Sequence, residues 1–274
     1  MKKTTNINIL SLLFAVLVAV AAGQGLYHSA VYSNMEPELL RLIIHQDFAI
    51  LAIFVPLLLF STWLVAQSHY RGTLLWFGTV GYLTYVYGSY SFGGVSKELF
   101  LLHTVITGLS FFLLFIKLAN TDLETIRLRF IPVTPLRFTA FFMIGVAVLM
   151  EALWLQEVIP FTKLLLNFSF GDLKNFLAIQ VLDIAFLGPL TFLAGLWLYF
   201  HKAGGYVLTG GLLVIITAKF GTMITDINIA SFQSHTNSVF AVLALVAMMI
   251  LICFLKKLRE EKLTSYHNRI SNNF

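Results

Sequence analysis

The chain is poor in charge and in cysteine, and each shortage excludes a class of protein. Charged residues make up 11% of its 274 positions, whereas about a quarter of a soluble domain is charged. Cys253 is the single cysteine, which excludes an intrachain disulfide framework and a thiolate metal cluster. An ordinary soluble domain is excluded too, because few charged residues are left to cover a solvated surface.

What the sequence has in abundance is apolar length. Hydrophobic residues make up 58% of the chain, and the mean hydropathy is +0.86. About 20 apolar residues in a helix cross a bilayer core of roughly 30 Å. The runs are continuous rather than alternating, which predicts helices and not barrel strands. Eight such runs lie at about 7–26, 47–66, 73–92, 98–117, 138–157, 177–200, 205–227 and 237–256.

The predicted fold is therefore an all-α, polytopic transmembrane helix bundle. It forms one domain over about residues 1–256, and a polar tail follows at 257–274. The first run has a second interpretation, because Lys2 and Lys3 precede it and small residues end it, as in a signal peptide. Its apolar stretch is longer than in most signals, which favours an uncleaved helix. Cleavage would leave seven helices instead of eight.

The basic residues indicate how the bundle is oriented. Thirteen lysines and arginines fall on one side of the predicted spans and four on the other, while Lys219 lies within a span. The richer side is predicted to be cytoplasmic, and it includes the C-terminus. This distribution also explains the net charge of +5 without a nucleic-acid partner, so the expected surroundings are a lipid bilayer.

Costly polar residues gather in one layer of the predicted bundle. Ionisable groups inside a bilayer are expensive and mark functional sites. At 1.5 Å per residue, Asp183 and Glu151 lie about 9 Å below the outer helix ends, Lys219 about 12 Å and His103 about 7 Å. Tyr85 falls in the same layer, whereas the cytoplasmic half offers only hydroxyls. The pattern predicts an outward-facing site for a small polar or zwitterionic ligand or a lipid headgroup.

Helical spacing predicts which of these side chains face one another. Gln180 and Asp183 share a helix stripe, and so do Lys219 and Asp226. Lys219 and Asp226 are about 10 Å apart along the axis, too far to pair. Lys219 is therefore expected to pair with Asp183 or Glu151, either as part of a site or as a purely structural link between helices. Two prolines, at 56 and 189, are expected to kink their helices and open a cavity.

The connecting segments carry two further expectations. Thr121 and Glu124 form a capping-box pattern, which predicts a short basic surface helix seated on lipid headgroups. On the predicted outer side, the apolar stretch 160–175 is either an interfacial anchor or a lid over the cavity.

Four short stretches carry a family likeness. They are His45-Gln46-Asp47, Arg71-Gly72-Thr73-Leu74-Leu75-Trp76, the run from Gly81-Tyr82 to Tyr90-Ser91-Phe92-Gly93, and Val181-Leu182-Asp183-Ile184-Ala185-Phe186. Over more than half of the chain they resemble a group of uncharacterised bacterial multi-pass inner-membrane proteins. The resemblance implies a bacterial inner-membrane location, but the group has no established activity to transfer. It supports five residues as part of a site: Gln46, Asp47, Tyr85, Tyr90 and Asp183. The predicted ligand-binding residues are Gln46, Asp47, Tyr85, Tyr90, His103, Glu151, Gln180, Asp183, Lys219 and Asp226.

Three functions compete for these residues. The first is a receptor-like or accessory protein with an outward-facing pocket. The second is a proton-coupled transporter using Glu151 or Asp183, although the apolar inner half argues against access from both sides. The third is an intramembrane enzyme acting on an outer-leaflet lipid, with His103 or Glu151 as general base and Lys219 stabilising an anion.

No cofactor is indicated by the sequence. A lone buried histidine does not make a haem site, and Lys219 in the penultimate predicted span argues against a retinal protein. His45, His103 and Asp47 lack the tight spacing of a metal motif, so no metal is expected.

Overall fold

In a computed structural model, the described residues are 2–32, 37–131, 136–164, 174–224 and 234–260. Within these ranges the chain forms nine helices and no strand, which confirms the all-α class. Two helices contain a π-helical turn: α2 joins Pro37–Ala49, Ile50–Phe54 and Val55–Ala66, and α7 joins Lys174–Leu182, Asp183–Leu187 and Gly188–Tyr199. The others are α1 Lys2–Tyr27, α3 Tyr70–Gly93, α4 Phe100–Ala119, α5 Leu123–Leu128, α6 Leu136–Leu164, α8 Ala203–Ile224 and α9 Ser234–Lys256.

Seven helices of the described chain are long and apolar enough to cross a membrane, so the protein is a multi-pass membrane protein. One further predicted span, at about 73–92, forms the 24-residue helix α3, which is not among these seven. Its tyrosines, glycines and hydroxyl residues lower its hydropathy. Fifteen of its residues are buried, so these polar groups face protein rather than lipid.

The bundle is built around α3 and α8. The apolar span of α8 is 78% buried, against 28–39% for the other six spans. Helix α8 packs against α3, α7 and α9, while α3 also packs against α2 and α4. The close approach of α3 to α8 depends on Gly78, because a Cβ there would lie 2.7 Å from the carbonyl oxygen of Gly211. Small residues at such contacts are typical of membrane helices.

Helix α2 begins about ten residues before the predicted start of its span, at Pro37. The charged residues of its first turns had hidden this part from an apolar-run criterion. Gln46 and Asp47, at the start of the predicted span, are therefore inside the helix. Asp47 lies about 12 Å along the axis from Leu39, where the apolar span begins.

At the basic end of the bundle, the segment after α9 is fastened to the loop after α5. Phe130 and Leu258 form an isolated antiparallel bridge, and the Arg259 N–H donates to the Arg129 carbonyl at 3.0 Å. The Glu260 carboxylate accepts the backbone N–H groups of Tyr70 and Arg71, at 3.0 and 2.8 Å. Residues 257–260 therefore belong to the folded bundle, while 261–274 lie outside the described residues.

The short helix α5 forms where the capping pattern predicts it, but one residue later. Asp122, not Thr121, is its N-cap, and its Oδ1 accepts the N–H groups of Glu124 and Thr125 at 3.1 Å. The hydrogen bonds from Thr125 lower the pKa of the exposed Asp122 carboxyl. Of the expected outer stretch 160–175, residues up to Leu164 continue α6, and 165–173 lie outside the described ranges.

Candidate functional site

The two π-helical turns lie directly before the two intramembrane prolines. In α7 the Gly188 N–H bonds to the carbonyl of Asp183, and in α2 the Val55 N–H bonds to the carbonyl of Ile50. Each bond spans five residues rather than four, and the following residue is a proline that has no N–H to donate. The sequence predicted a kink at each proline and did not predict this change of hydrogen-bond register. Asp183 is the first residue of one irregular turn, and Asp47 lies three residues before the other.

Four helices bring their side chains together around Asp183. Its Oδ2 forms a buried ion pair with Lys219 of α8 and accepts a hydrogen bond of 2.7 Å from the Trp154 indole of α6. The Lys219 ammonium also donates to the Tyr85 hydroxyl of α3 at 2.7 Å and lies 4.6 Å from the centre of that ring. Of the two expected partners, Lys219 thus pairs with Asp183 and not with Glu151.

Glu151 lies beside the ion pair without joining it. Its carboxylate packs directly against the backbone of Gly188, where an added Cβ would also lie 2.9 Å from Cδ. Four buried atoms on α6 and α7 lack a hydrogen-bond partner among the described residues: Oε1 of Glu151, Oδ1 of Asp183, and both the oxygen and the nitrogen of the Gln180 amide. Gln180 is 2% exposed, so its amide is enclosed by α7 and its neighbours rather than by lipid.

A second polar cluster surrounds Asp47 of α2, which is 1% exposed. Its Oδ2 accepts the Tyr32 hydroxyl at 2.8 Å, and its Oδ1 has no partner within the described part of the chain. Tyr32 belongs to the 3₁₀ turn Ser29–Tyr32 that follows α1. Burial, followed by the effect of the adjacent Asp47 carboxylate, raises the pKa of the Tyr32 phenol. Tyr32 therefore keeps its proton and acts as a donor.

His103 of α4 lies among tyrosines rather than at a charged group. Its ring centre is 5.5 Å from that of Tyr87 and 5.3 Å from that of Tyr90. Tyr87 donates to the carbonyl of Val18 at 3.2 Å. Both His103 nitrogens and the Tyr90 hydroxyl are buried without a partner among the residues that the structure describes. Sequence spacing identified His103 as buried but did not predict this aromatic enclosure.

Between the two clusters lies a cavity of about 200 Å³. Four predicted site residues line it: Gln46, Tyr85, Tyr90 and Lys219. The other described ones, which do not line it, are Asp47, His103, Glu151, Gln180 and Asp183, and Asp226 is outside the described residues. The remaining lining residues are Leu39, Leu42, Ile43, Tyr82, Val86, Ser89, Val95, Ile179 and Thr222.

Three polar lining residues were not selected from the sequence: Tyr82, Ser89 and Thr222. Tyr82 receives a 2.9 Å hydrogen bond from the Gln46 amide and lies 3.3 Å from the Thr222 hydroxyl. The signal was present, since Thr222 is three residues after Lys219 and Tyr82 is three before Tyr85, so each shares a helix stripe with a selected residue.

The cavity occupies one end of the bundle. It lies between the first turns of α2 and α7 and the last turns of α3 and α8. The opposite end carries Arg71, Arg129 and the chain segment ending at Glu260. The cavity is therefore at the end with few basic residues. No group of three or more His, Cys, Asp or Glu side chains in the described ranges is arranged to hold a metal ion.

Comparison of the chain with protein-family models, with curated proteins and with solved structures finds no match in any of the three. The resemblance to bacterial inner-membrane proteins stays a prediction.

Proposed function

We propose that this multi-pass membrane protein binds a small polar ligand or a lipid headgroup in the cavity between α2, α3, α7 and α8. The observation that carries the proposal is the placement of an ammonium, an amide and phenol groups on the wall of one cavity in an apolar bundle. Polar groups at such depth are costly, and ligand sites are typically apolar clefts with a few convergent polar groups.

The charge of the cavity favours a neutral or zwitterionic ligand. Among the described residues Lys219 is the one basic side chain on its wall, and its ion-pair partner Asp183 neutralises that charge. An ion of either sign would be buried without a compensating charge, which is expensive. A carbonyl or hydroxyl would instead accept a hydrogen bond from Lys219, whose ammonium has three N–H groups and donates to two described partners.

The other half of the wall is aliphatic. Leu39, Leu42 and Ile43 of α2 and Ile179 of α7 face the same space as the polar groups. This arrangement suits a ligand with a polar head and an apolar body, including a lipid headgroup with the start of its chains. The basic residues at the far end support an orientation with the cavity facing outward and the C-terminus cytoplasmic. We place the protein in the bacterial inner membrane, in a receptor-like or accessory role.

The test is thermal unfolding of the detergent-purified protein with and without defined probes: neutral amino acids, glycerophosphoethanolamine and a short-chain quinone. A ligand that binds only the folded state, at 100 times its Kd, stabilises it by about 2.7 kcal/mol. We expect one probe class to raise Tm in the wild type, and the rise to shrink in Gln46→Leu and Thr222→Val.

Thr217→Val is the matched control for Thr222→Val. Both hydroxyls bond to a backbone carbonyl of α8, at 2.7 and 3.0 Å, but only Thr222 lines the cavity. The control must keep the full ligand shift. An equal loss in both threonine variants, or a shift that survives in Gln46→Leu and Thr222→Val, would contradict binding in this cavity.

Transport is the second candidate, supported by the π-helical turns and prolines in the two helices α2 and α7, which both line the cavity. Irregular membrane helices at a binding site are typical of carriers. Uptake of the stabilising probe into proteoliposomes would favour this function over a receptor role. The enzyme alternative is weaker, because His103 and Glu151, its proposed general bases, do not line the cavity.

A further inference from the structure

Asp47 is a buried carboxylate without a basic partner. It is 1% exposed and lies well inside the apolar span of α2. Among the described residues no Lys, Arg or His side chain forms an ion pair with it. One of its oxygens accepts the Tyr32 hydroxyl at 2.8 Å, and the other has no partner there. A single hydrogen bond does not offset the cost of removing a carboxylate charge from water.

Apart from Lys219 of α8, which is paired with Asp183, the described groups that face Asp47 from the elements packed against α2 are uncharged. Tyr32 faces it from the 3₁₀ turn, and the Gly25 backbone of α1 lies against its Oδ2. Tyr87 and Tyr90 of α3 interact with it electrostatically. His103 of α4 lies behind those two rings, out of contact with any described charged group. On α2 itself, His45 is exposed and points away.

We propose that Asp47 is a proton-binding site, occupied in the resting protein by one exchangeable proton on Oδ1. A proton removes the charge without requiring any further protein ligand, whereas a metal ion needs several oxygen donors and no metal-holding group is found in the described residues. The bound proton turns Oδ1 from an unpartnered acceptor into a donor. The Tyr90 hydroxyl is likewise buried without a hydrogen-bond partner among the described residues.

Asp47 is connected to the cavity through two residues. Gln46, its neighbour in the chain, lines the cavity and bonds to Tyr82. Tyr90, whose hydroxyl is buried without a partner among the described residues, also lines it. Loss of the proton would place a charge next to the cavity wall and three residues before the π-helical turn Ile50–Phe54. The proton site therefore stands independently of the proposed ligand but is placed to influence its binding.

Infrared difference spectroscopy of the purified wild type in detergent tests the site without any ligand. A protonated carboxyl group has a C=O stretching band that a carboxylate lacks, and this band shifts in D₂O. We expect such a band at pH 7 and its loss in Asp47→Asn. The double variant Lys219→Met/Asp183→Asn should keep the band, because Asp183 is paired with Lys219 and carries its charge. Glu151→Gln should keep it too.

Tyr32→Phe keeps the Asp47 carboxyl group, so it gives a second result that does not depend on the folding of Asp47→Asn. It removes the donor to Oδ2, so the band should remain and move to higher wavenumber. A wild-type band that is absent, that survives in Asp47→Asn or that does not move in Tyr32→Phe would overturn the proposal. Loss of the band in Glu151→Gln alone would assign the proton to Glu151 and overturn it equally.

Discussion

Helices α2 and α7 place a buried aspartate beside the same irregularity and stabilise it in different ways. Asp47 lies three residues before the π-helical turn of α2, and Asp183 is the first residue of the turn in α7. Asp183 pairs with the cation Lys219 and accepts the Trp154 indole. Asp47 has the neutral phenol of Tyr32. The first arrangement holds a permanent charge pair, whereas the second is compatible with a carboxyl group that gains and loses a proton.

Removal of Lys219 should have the largest effect, because it breaks the arrangement at Asp183. Lys219→Met leaves a buried carboxylate without its cation, and breaking a buried pair in this way typically costs about 3–5 kcal/mol. We expect a large fall in Tm of the detergent-purified protein. The double variant Lys219→Met/Asp183→Asn removes both charges and should recover most of the loss. A single variant as stable as the wild type would show that the pair contributes nothing to the fold.

An added methyl group at Gly25 should have an intermediate effect, confined to the Asp47 arrangement. A Cβ at this position would overlap Oδ2 of Asp47 and lie 2.6 Å from the Tyr32 hydroxyl. Gly25→Ala is expected to break the Tyr32–Asp47 hydrogen bond and to cost about 1–3 kcal/mol through overpacking. Gly23→Ala is the control, because a Cβ there has no neighbour within 4 Å. Equal Tm values for the two variants would contradict close packing at Gly25.

Neutralisation of Asp47 should have the smallest effect on stability. If Asp47 already carries a proton, Asp47→Asn exchanges one neutral group for another of the same shape, at a cost below about 1.5 kcal/mol. Asp183→Asn, by contrast, leaves Lys219 buried and unpaired and should be strongly destabilised. The difference in Tm between these two Asp→Asn variants measures the contrast directly. Similar losses in both would mean that Asp47 is charged and that the two arrangements are alike.

Sequence reasoning predicted the helices well and the partners less well. Apolar length predicted eight spans, and seven of these helices are long and apolar enough to cross a membrane, as helices that face lipid along their whole length must be. Helix α3 departs from this rule, since its tyrosines and glycines are covered by other helices. Charged residues in the first turns of α2 likewise concealed its start at Pro37.

The sequence predicted that the polar side chains of the site lie at a similar depth in the bundle. Helical spacing placed Lys219 and Asp183 at similar depth, and the structure pairs them. Depth alone does not determine which way a helix is rotated, so it did not separate Lys219, on the cavity wall, from Asp183 behind it. The hydrogen-bond partner of Asp47 is Tyr32, which lies fifteen residues earlier and on another element. Such a contact follows from how α1 and α2 pack, which no local pattern encodes.

The hydrogen bonds at Glu260 have a consequence for how the bundle is made. The first backbone N–H groups of α3 are completed by a carboxylate that lies 189 and 190 residues later in the chain. Ribosomal synthesis delivers these groups in order, and helix ends need partners for their free N–H groups. During synthesis the N–H groups of Tyr70 and Arg71 therefore have no Glu260 partner until the segment after α9 has been made. The contact between Glu260 and the first turn of α3 is thus among the last that the bundle can form.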